Sequence, residues 1–136
     1  MIEKNFLLDT NICVFLLRGK KEVIDKIKEV GIGSCAISEI SIAELYYGVE
    51  CAGDDKSQLN LLESFFKSID VIPISSSLKT YAIQKAFLRR EGKLIDDMDL
   101  LIGSSAISNN LILVTDNKKH FERLPVKIEN WVNREK

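Results

Sequence analysis

The sequence predicts an α/β fold: a single domain with a central parallel sheet flanked by helices on both faces. Three observations predict it. Short apolar runs rich in branched residues alternate with longer stretches of helical period, and parallel strands need crossover connections of that kind. At 136 residues the chain has the length of one domain, 1–136, and folding would bury roughly two thirds of the surface of the unfolded chain. The polar break Gly53-Asp54-Asp55-Lys56 is too short to be an interdomain linker.

The elements follow in order. A strand is expected over 6–9, where Phe-Leu-Leu ends in Asp9. Val23, Ile27 and Val30 then keep one face of a long helix apolar. A second strand, 34–37, leads into a helix opened by Ser41-Ile42-Ala43-Glu44, with Glu44 in its first turn. After the polar break, Leu62, Phe65, Phe66 and Ile69 mark another amphipathic helix, followed by a strand over 71–74. A helix over 81–90 can end at Gly92, since glycine suits a C-terminal cap. Asp96, Asp97 and Asp99 open a helix over 100–107; a strand over 111–115 and an edge strand over 126–128 complete the sheet.

Composition narrows the function. Hydrophobic residues make up 46% and charged residues 29%, the balance of a globular protein. The net charge of −1 means that any polyanion must be met by a local basic surface rather than by overall charge. No signal-peptide pattern and no apolar run of membrane-spanning length is present, which predicts a cytoplasmic protein without a membrane partner. Cys13, Cys35 and Cys51 are widely spaced, so buried thiols in a reducing compartment are expected rather than a zinc site or disulfides.

In open parallel sheets, ligands bind beyond the carboxyl ends of the strands. Acids follow the strands here: Asp9 after the first, Glu44 after the second, Asp96, Asp97 and Asp99 at the start of a helix, and Asp116 with Asn117 after 111–115. Carboxylates brought together at one edge repel by about 4 kcal/mol per pair at 4 Å and an effective dielectric of 20. With one histidine and no clustered cysteine, the agent that would neutralise them is a hard divalent cation, Mg²⁺ or Mn²⁺. Carboxylate-held cations suit phosphodiester hydrolysis because they activate water and stabilise the leaving oxygen. Capping is the competing explanation for each acid alone. Ser41 and Glu44 fit a capping box, while Asp9, Thr10 and Asp96 are good N-caps. Asp99, next to Leu100-Leu101-Ile102-Gly103, is the hardest to explain as a cap.

FLLDTNI, SIAELYYG, IDDMDLLIGSSAI, LILVTDNKKHFERLP and KIENW together give the chain a clear resemblance, over essentially its whole length, to PIN-domain ribonucleases of the VapC toxin type. The resemblance implies a Mg²⁺-dependent endoribonuclease, a homodimer, and a cognate VapB-like antitoxin that blocks the site. By motif, Asp9, Glu44 and Asp99 match the family's first three acids, Asp97 sits where some members carry a further acid, and the fourth acid falls at Asp116 or Asn117. The candidate catalytic residues are therefore Asp9, Glu44, Asp99 and Asp116, and the candidate metal ligands are these four with Asp97.

The scheme this implies is attack by cation-activated water on an RNA phosphorus, leaving a 5′-phosphate and a 3′-hydroxyl, with Thr10 and Asn11 orienting the acids. Two basic groups could meet RNA phosphates: Lys85, Arg89, Arg90 and Lys93, and Lys118, Lys119 and Arg123. His120, the single histidine, has no base-orienting partner recognisable in sequence and reads as structural. Phe65, Phe66, Tyr46 and Tyr47 read as core or dimer interface. A dehalogenase-type phosphatase would need a second Asp at position 11, which is Asn11; no P-loop or dinucleotide fingerprint is present. The remaining alternative is a catalytically inactive PIN fold that binds RNA or protein.

Overall fold

The structure, a computed structural model, describes residues 4–53 and 55–132. Asp54 of the expected polar break, and the ends of the expected domain 1–136, lie outside the described residues. In chain order the elements are β1 (Phe6–Leu8), α1 (Thr10–Leu17), α2 (Lys21–Val30), β2 (Cys35–Ser38), α3 (Glu39–Ala52), α4 (Lys56–Ser68), β3 (Asp70–Ile72), α5 (Leu78–Arg90), α6 (Asp97–Ser108), β4 (Ile112–Val114), α7 (Lys118–Phe121) and β5 (Ile128–Glu129). Short 3₁₀ turns precede β2 and follow β3.

All four strand pairings are parallel, in the order β3-β2-β1-β4-β5. Successive residues in a strand face opposite sides, and both sides here are covered. Leu8, Ile37 and Val114 join the core beneath α1, α2 and α4 with Val23, Leu62 and Phe65. Their neighbours Leu7, Ala36 and Leu113 join the core under α5 and α6 with Leu88, Leu100 and Phe121. The predicted sheet with two covered faces is the one observed.

The chain runs outward from β1 through β2 to β3, then returns to the other side of β1 for β4 and β5. The strand order reverses between β1 and β4, the place at whose carboxyl ends open parallel sheets bind ligands. Asp9 is the residue directly after β1, and Thr115 the residue directly after β4.

Element ends moved where cap chemistry overrode apolar pattern. The 6–9 strand stops at Leu8 because the Asp9 side chain turns to cap α1, a helix the uniformly apolar Ile12–Leu17 stretch did not signal. The 34–37 strand is shifted by one residue, so that Ser38 caps α3 by accepting a bond from the Ile40 N–H at 3.0 Å. The Ser41–Glu44 capping box is therefore not formed: Ser41 is buried inside α3, and Glu44 is its sixth residue, in the second turn rather than the first.

The 71–74 strand becomes Asp70–Ile72, because Pro73 has no N–H to continue the ladder. The 111–115 strand shortens to Ile112–Val114 and the 126–128 edge strand becomes Ile128–Glu129. The 81–90 helix begins earlier, at Leu78, and Gly92 follows its end in the left-handed conformation, φ +67°, that glycine accepts without strain.

Cys13 and Cys35 are buried as expected, but Cys51 is exposed because it lies on the outer face of the last turn of α3. Phe65 is core and Phe66 packs against it, edge-on to Tyr46, while Tyr47 is 71% exposed. Gly103 lets α6 approach the segment after α7: a Cβ there would stand 2.5 Å from Leu124 Cδ1.

Candidate active site

The site begins with the turn from β1 into α1. Asp9 takes an extended conformation and caps α1, its Oδ1 accepting the Thr10 N–H at 2.8 Å. Its backbone N–H continues the ladder to Val114 O, which pins the carboxylate beside the end of β4. There the buried Thr115 hydroxyl donates to Asp9 Oδ2 at 2.8 Å, and itself accepts the Asn117 N–H at 2.9 Å. Asp9 is only 5% exposed. Burial pushes its carboxyl up from 3.8 to about 6, against the lowering effect of the Thr115 and Thr10 bonds, and the charges of Asp99 and Glu44 push the same way. Glu44 from α3 and Asp99 from α6 therefore lie within electrostatic reach of Asp9, at the end of β1.

Thr10, one residue on, reaches across to α3. Its hydroxyl lies 2.5 Å from Glu44 Oε1 and 2.9 Å from the hydroxyl of fully buried Ser41. A hydroxyl has one proton, and a carboxylate can only accept, so Thr10 donates to Glu44 and accepts from Ser41. Ser41 and Glu44 are thus joined through Thr10 instead of capping α3 between themselves. The expected orienting role of Thr10 is met by this contact; Asn11 instead accepts the Asp116 N–H, at 3.4 Å.

α6 brings the third acid. Asp96 caps it by accepting the Met98 N–H, which leaves Asp99 in the first turn without that duty. Asp99 Oδ2 lies 2.9 Å from His120 Nδ1, and the same nitrogen lies 2.9 Å from Asn117 Nδ2. The carboxylate can only accept, so Nδ1–H is the donor to Asp99, and the Asn117 amide beside it would bond that nitrogen only with its oxygen turned to the ring. His120 thus has the partner that sequence reading missed. The contact spans 21 residues between elements with no shared periodicity, so no local pattern announced it.

Asp97 is placed differently. Its Oδ1 accepts from Lys85 Nζ and from the Tyr81 hydroxyl, both at 2.9 Å, and the ammonium holds its carboxyl below the usual range. Asp116 accepts a bond from Asn130 Nδ2 at 3.1 Å.

The donor set suits a hard cation. It consists of carboxylate oxygens, and among the described residues neither Asp9 nor Glu44 pairs with a lysine or arginine, while Asp99 faces His120. As the side chains are placed, no three His, Cys, Asp or Glu groups among the described residues form a ligating cluster. Each central carboxylate is turned to a protein donor: Asp9 to Thr10 and Thr115, Glu44 to Thr10, Asp99 to His120.

Two hollows flank the acids. An apolar cleft of about 570 Å³ runs between α1, α3 and α4, lined by Val14, Leu17, Leu45, Val49 and Leu61, with Thr10 and Glu44 at one end. A smaller one of about 260 Å³ lies between the segment before α6 and α7, lined by Leu94, Ile95, Asp96, Lys119, His120 and Arg123. No helix among the described residues is long and apolar enough to cross a membrane.

A PIN-domain family model matches residues 6–127. A tRNA(fMet)-specific endonuclease VapC of Shigella flexneri is 34% identical over 128 residues, 93% of this chain and 97% of the relative. Ribonuclease VapC2 of Rickettsia felis is 35% identical over 130 residues, 93% and 97% of the two chains. A crystal structure of VapBC2 from Rickettsia felis bound to a promoter DNA fragment contains a chain that superposes with a TM-score of 0.86 at 32% identity, covering 97% of this chain and all of that one.

Proposed function

The chain belongs to the PIN-domain family, and from that premise we propose that it is a metal-dependent endoribonuclease, the toxin of a toxin–antitoxin pair, acting on RNA in the cytoplasm. The observation that carries the reading is Asp9: a carboxylate 5% exposed, with Glu44 and Asp99 acting on it electrostatically and no lysine or arginine of the described residues paired with it. Such a group calls for a cation from outside the chain. Relatives named ribonuclease and endonuclease, matched over nearly their full lengths, support the substrate class.

Asp9, Glu44 and Asp99 would hold the ion, Mg²⁺ or Mn²⁺, with Asp116 as the fourth acid. Asp97 would join only by giving up Lys85, and is the weakest of the five candidates. The cation would supply water activation and charge neutralisation at the phosphate. Thr115 and the Thr10 N–H keep Asp9 in one orientation, and Thr10 holds Glu44 ready beside it. Glu44 and Asp99 would offer the ion their second oxygens, while Glu44 Oε1 keeps the Thr10 hydroxyl and Asp99 Oδ2 keeps His120 Nδ1.

The VapBC assembly of the Rickettsia felis relative supports a VapB-like antitoxin partner here. The apolar cleft is the surface for it, because a segment seated between α1 and α4 would end at Thr10 and Glu44 and could cover the acids. A homodimer completes the proposed assembly. Purified protein incubated with single-stranded RNA should cleave it with Mg²⁺ or Mn²⁺ and not in chelator. RNA that is bound yet left intact with either ion would establish a non-catalytic module and overturn the reading.

A further inference from the structure

We propose that the hollow between the segment before α6 and α7 is a binding subsite for one nucleotide of an RNA strand, the one adjacent to the cleaved phosphate, with Lys119 as its phosphate partner. The inference rests on the ribonuclease reading and adds where the substrate lies.

The acid site repels RNA, so binding must come from cations close beside it. Of the two basic groups in the sequence, only the second lines the hollow, through Lys119 and Arg123. Lys85 is committed to Asp97 and Tyr81, lying 2.9 Å from the carboxylate and 5.4 Å from the centre of the ring. Arg123 is partly committed: its Nη1 donates to the carbonyls of Lys93 and Leu94, each at 3.1 Å, which ties the wall of the hollow to the end of α7. Lys119 is exposed and, among the described residues, has no ion pair. Of the lysine and arginine side chains lining the hollow, it is the one left to meet a ligand.

His120 links the hollow to the chemistry. Its ring lines the hollow while its Nδ1 contacts Asp99, so the two sites share one wall. The side chain is half exposed, 52%, so much of its surface faces away from Asp99. The hollow combines cations with apolar surface from Leu94 and Ile95, the mixture that a phosphate and a base require together. Asp96 is the one carboxylate in the lining, and it is turned to the Met98 N–H. At about 260 Å³ the hollow falls just below the ~300 Å³ of small-molecule pockets, which suits one unit of a polymer rather than a free ligand or a duplex.

The test measures RNA binding apart from cleavage. Anisotropy of a short labelled single-stranded RNA is followed in chelator at several salt concentrations, for the wild type, Lys119→Ala, and Lys28→Ala, which removes an exposed cation from α2 on the opposite face of the sheet. Lys119→Ala should bind several-fold more weakly, with a salt slope lower by about 0.7, the value of one phosphate contact to a single strand. Lys28→Ala should bind as the wild type, and Mn²⁺ affinity measured by calorimetry should be equal in all three. Unchanged affinity and slope in Lys119→Ala, or an equal loss in Lys28→Ala, overturns the subsite. If those results come from a protein that still cleaves RNA with Mg²⁺, the subsite alone falls; if the wild type cleaves nothing with either ion, the ribonuclease reading falls as well.

Discussion

Asp9 and Asp97 lie at opposite ends of one range of environments for an acid. Both follow or open an element at the same rim of the sheet, and both have neighbours that donate hydrogen bonds. Asp97 is exposed and has Lys85 beside it, so its charge is met within the chain. Asp9 is buried, meets hydroxyl and amide dipoles but no ammonium, and has two more carboxylates acting on it. The difference teaches that an acid's place after a strand does not decide its role; what decides it is whether the protein itself supplies the countercharge. Where it does, the acid ties helices together, and where it does not, the acid is available for an ion from solution.

The largest test of this contrast removes the uncompensated charges. Asp9→Asn and Asp99→Asn should each lower Mg²⁺-dependent RNA cleavage by on the order of a thousandfold, roughly 4 kcal/mol of barrier, because each would delete a proposed cation ligand. Far-ultraviolet circular dichroism should remain that of the wild type. Either variant cleaving RNA at the wild-type rate would remove that residue from the site.

The same contrast has a thermodynamic side. An acid whose carboxyl is raised from 3.8 to about 6 on folding holds its proton more tightly in the folded chain. Between those values the folded state binds more protons than the unfolded one, so stability falls as pH rises through that window. A shift of about two units corresponds to about 3 kcal/mol. In chelator, the unfolding free energy of Asp9→Asn relative to the wild type should therefore rise by about that amount between pH 4 and pH 7.5. Parallel urea-denaturation results at the two pH values would show that Asp9 is not under strain. Saturating Mn²⁺ should stabilise the wild type more than the variant.

How far this was legible in the sequence differs between the fold and the site. The sheet was legible because strands buried on both faces read as continuous apolar runs, as Leu7 with Leu8 and Leu113 with Val114 do. α1 was not, since Asn11–Leu17 is apolar on nearly every position and shows no period. The acids were visible from their places after strands and from the family motif. Their partners were not: the Thr10 bond to Glu44 spans 34 residues and the Thr115 bond to Asp9 spans 106. A hydroxyl next to an acid looks like a cap in sequence, and only folding shows that Thr10 serves an acid on another helix while Ser41, in the expected box, serves Thr10.

Thr10 gives the next smaller effect. Thr10→Val keeps the side chain's shape and removes the donor to Glu44 and the acceptor for buried Ser41. Mn²⁺ affinity should fall about tenfold, the usual result of losing a group that orients a ligand. Stability should fall by about 1 to 2 kcal/mol, because Ser41 loses its acceptor. Thr10→Ser should restore both. Loss in the valine variant without rescue by serine would point to packing rather than to the hydroxyl.

Asp97→Asn should have the smallest effect, and it tests the comparison from the other side. Asparagine keeps an oxygen for the Tyr81 hydroxyl and loses only the charge facing Lys85. That pair is exposed to solvent, where exchange of protein for water contacts leaves little net gain. Lys85, released, would add a cation near the start of α6, which favours RNA in a binding assay even as α5 and α6 lose a tie. Cleavage should therefore change by no more than a few-fold, and Mn²⁺ affinity should stay at the wild-type value. A loss as deep as that of Asp99→Asn would mean that Asp97 leaves Lys85 when the ion binds, so that the protein's own countercharge serves only to store a fourth or fifth ligand until the cation arrives.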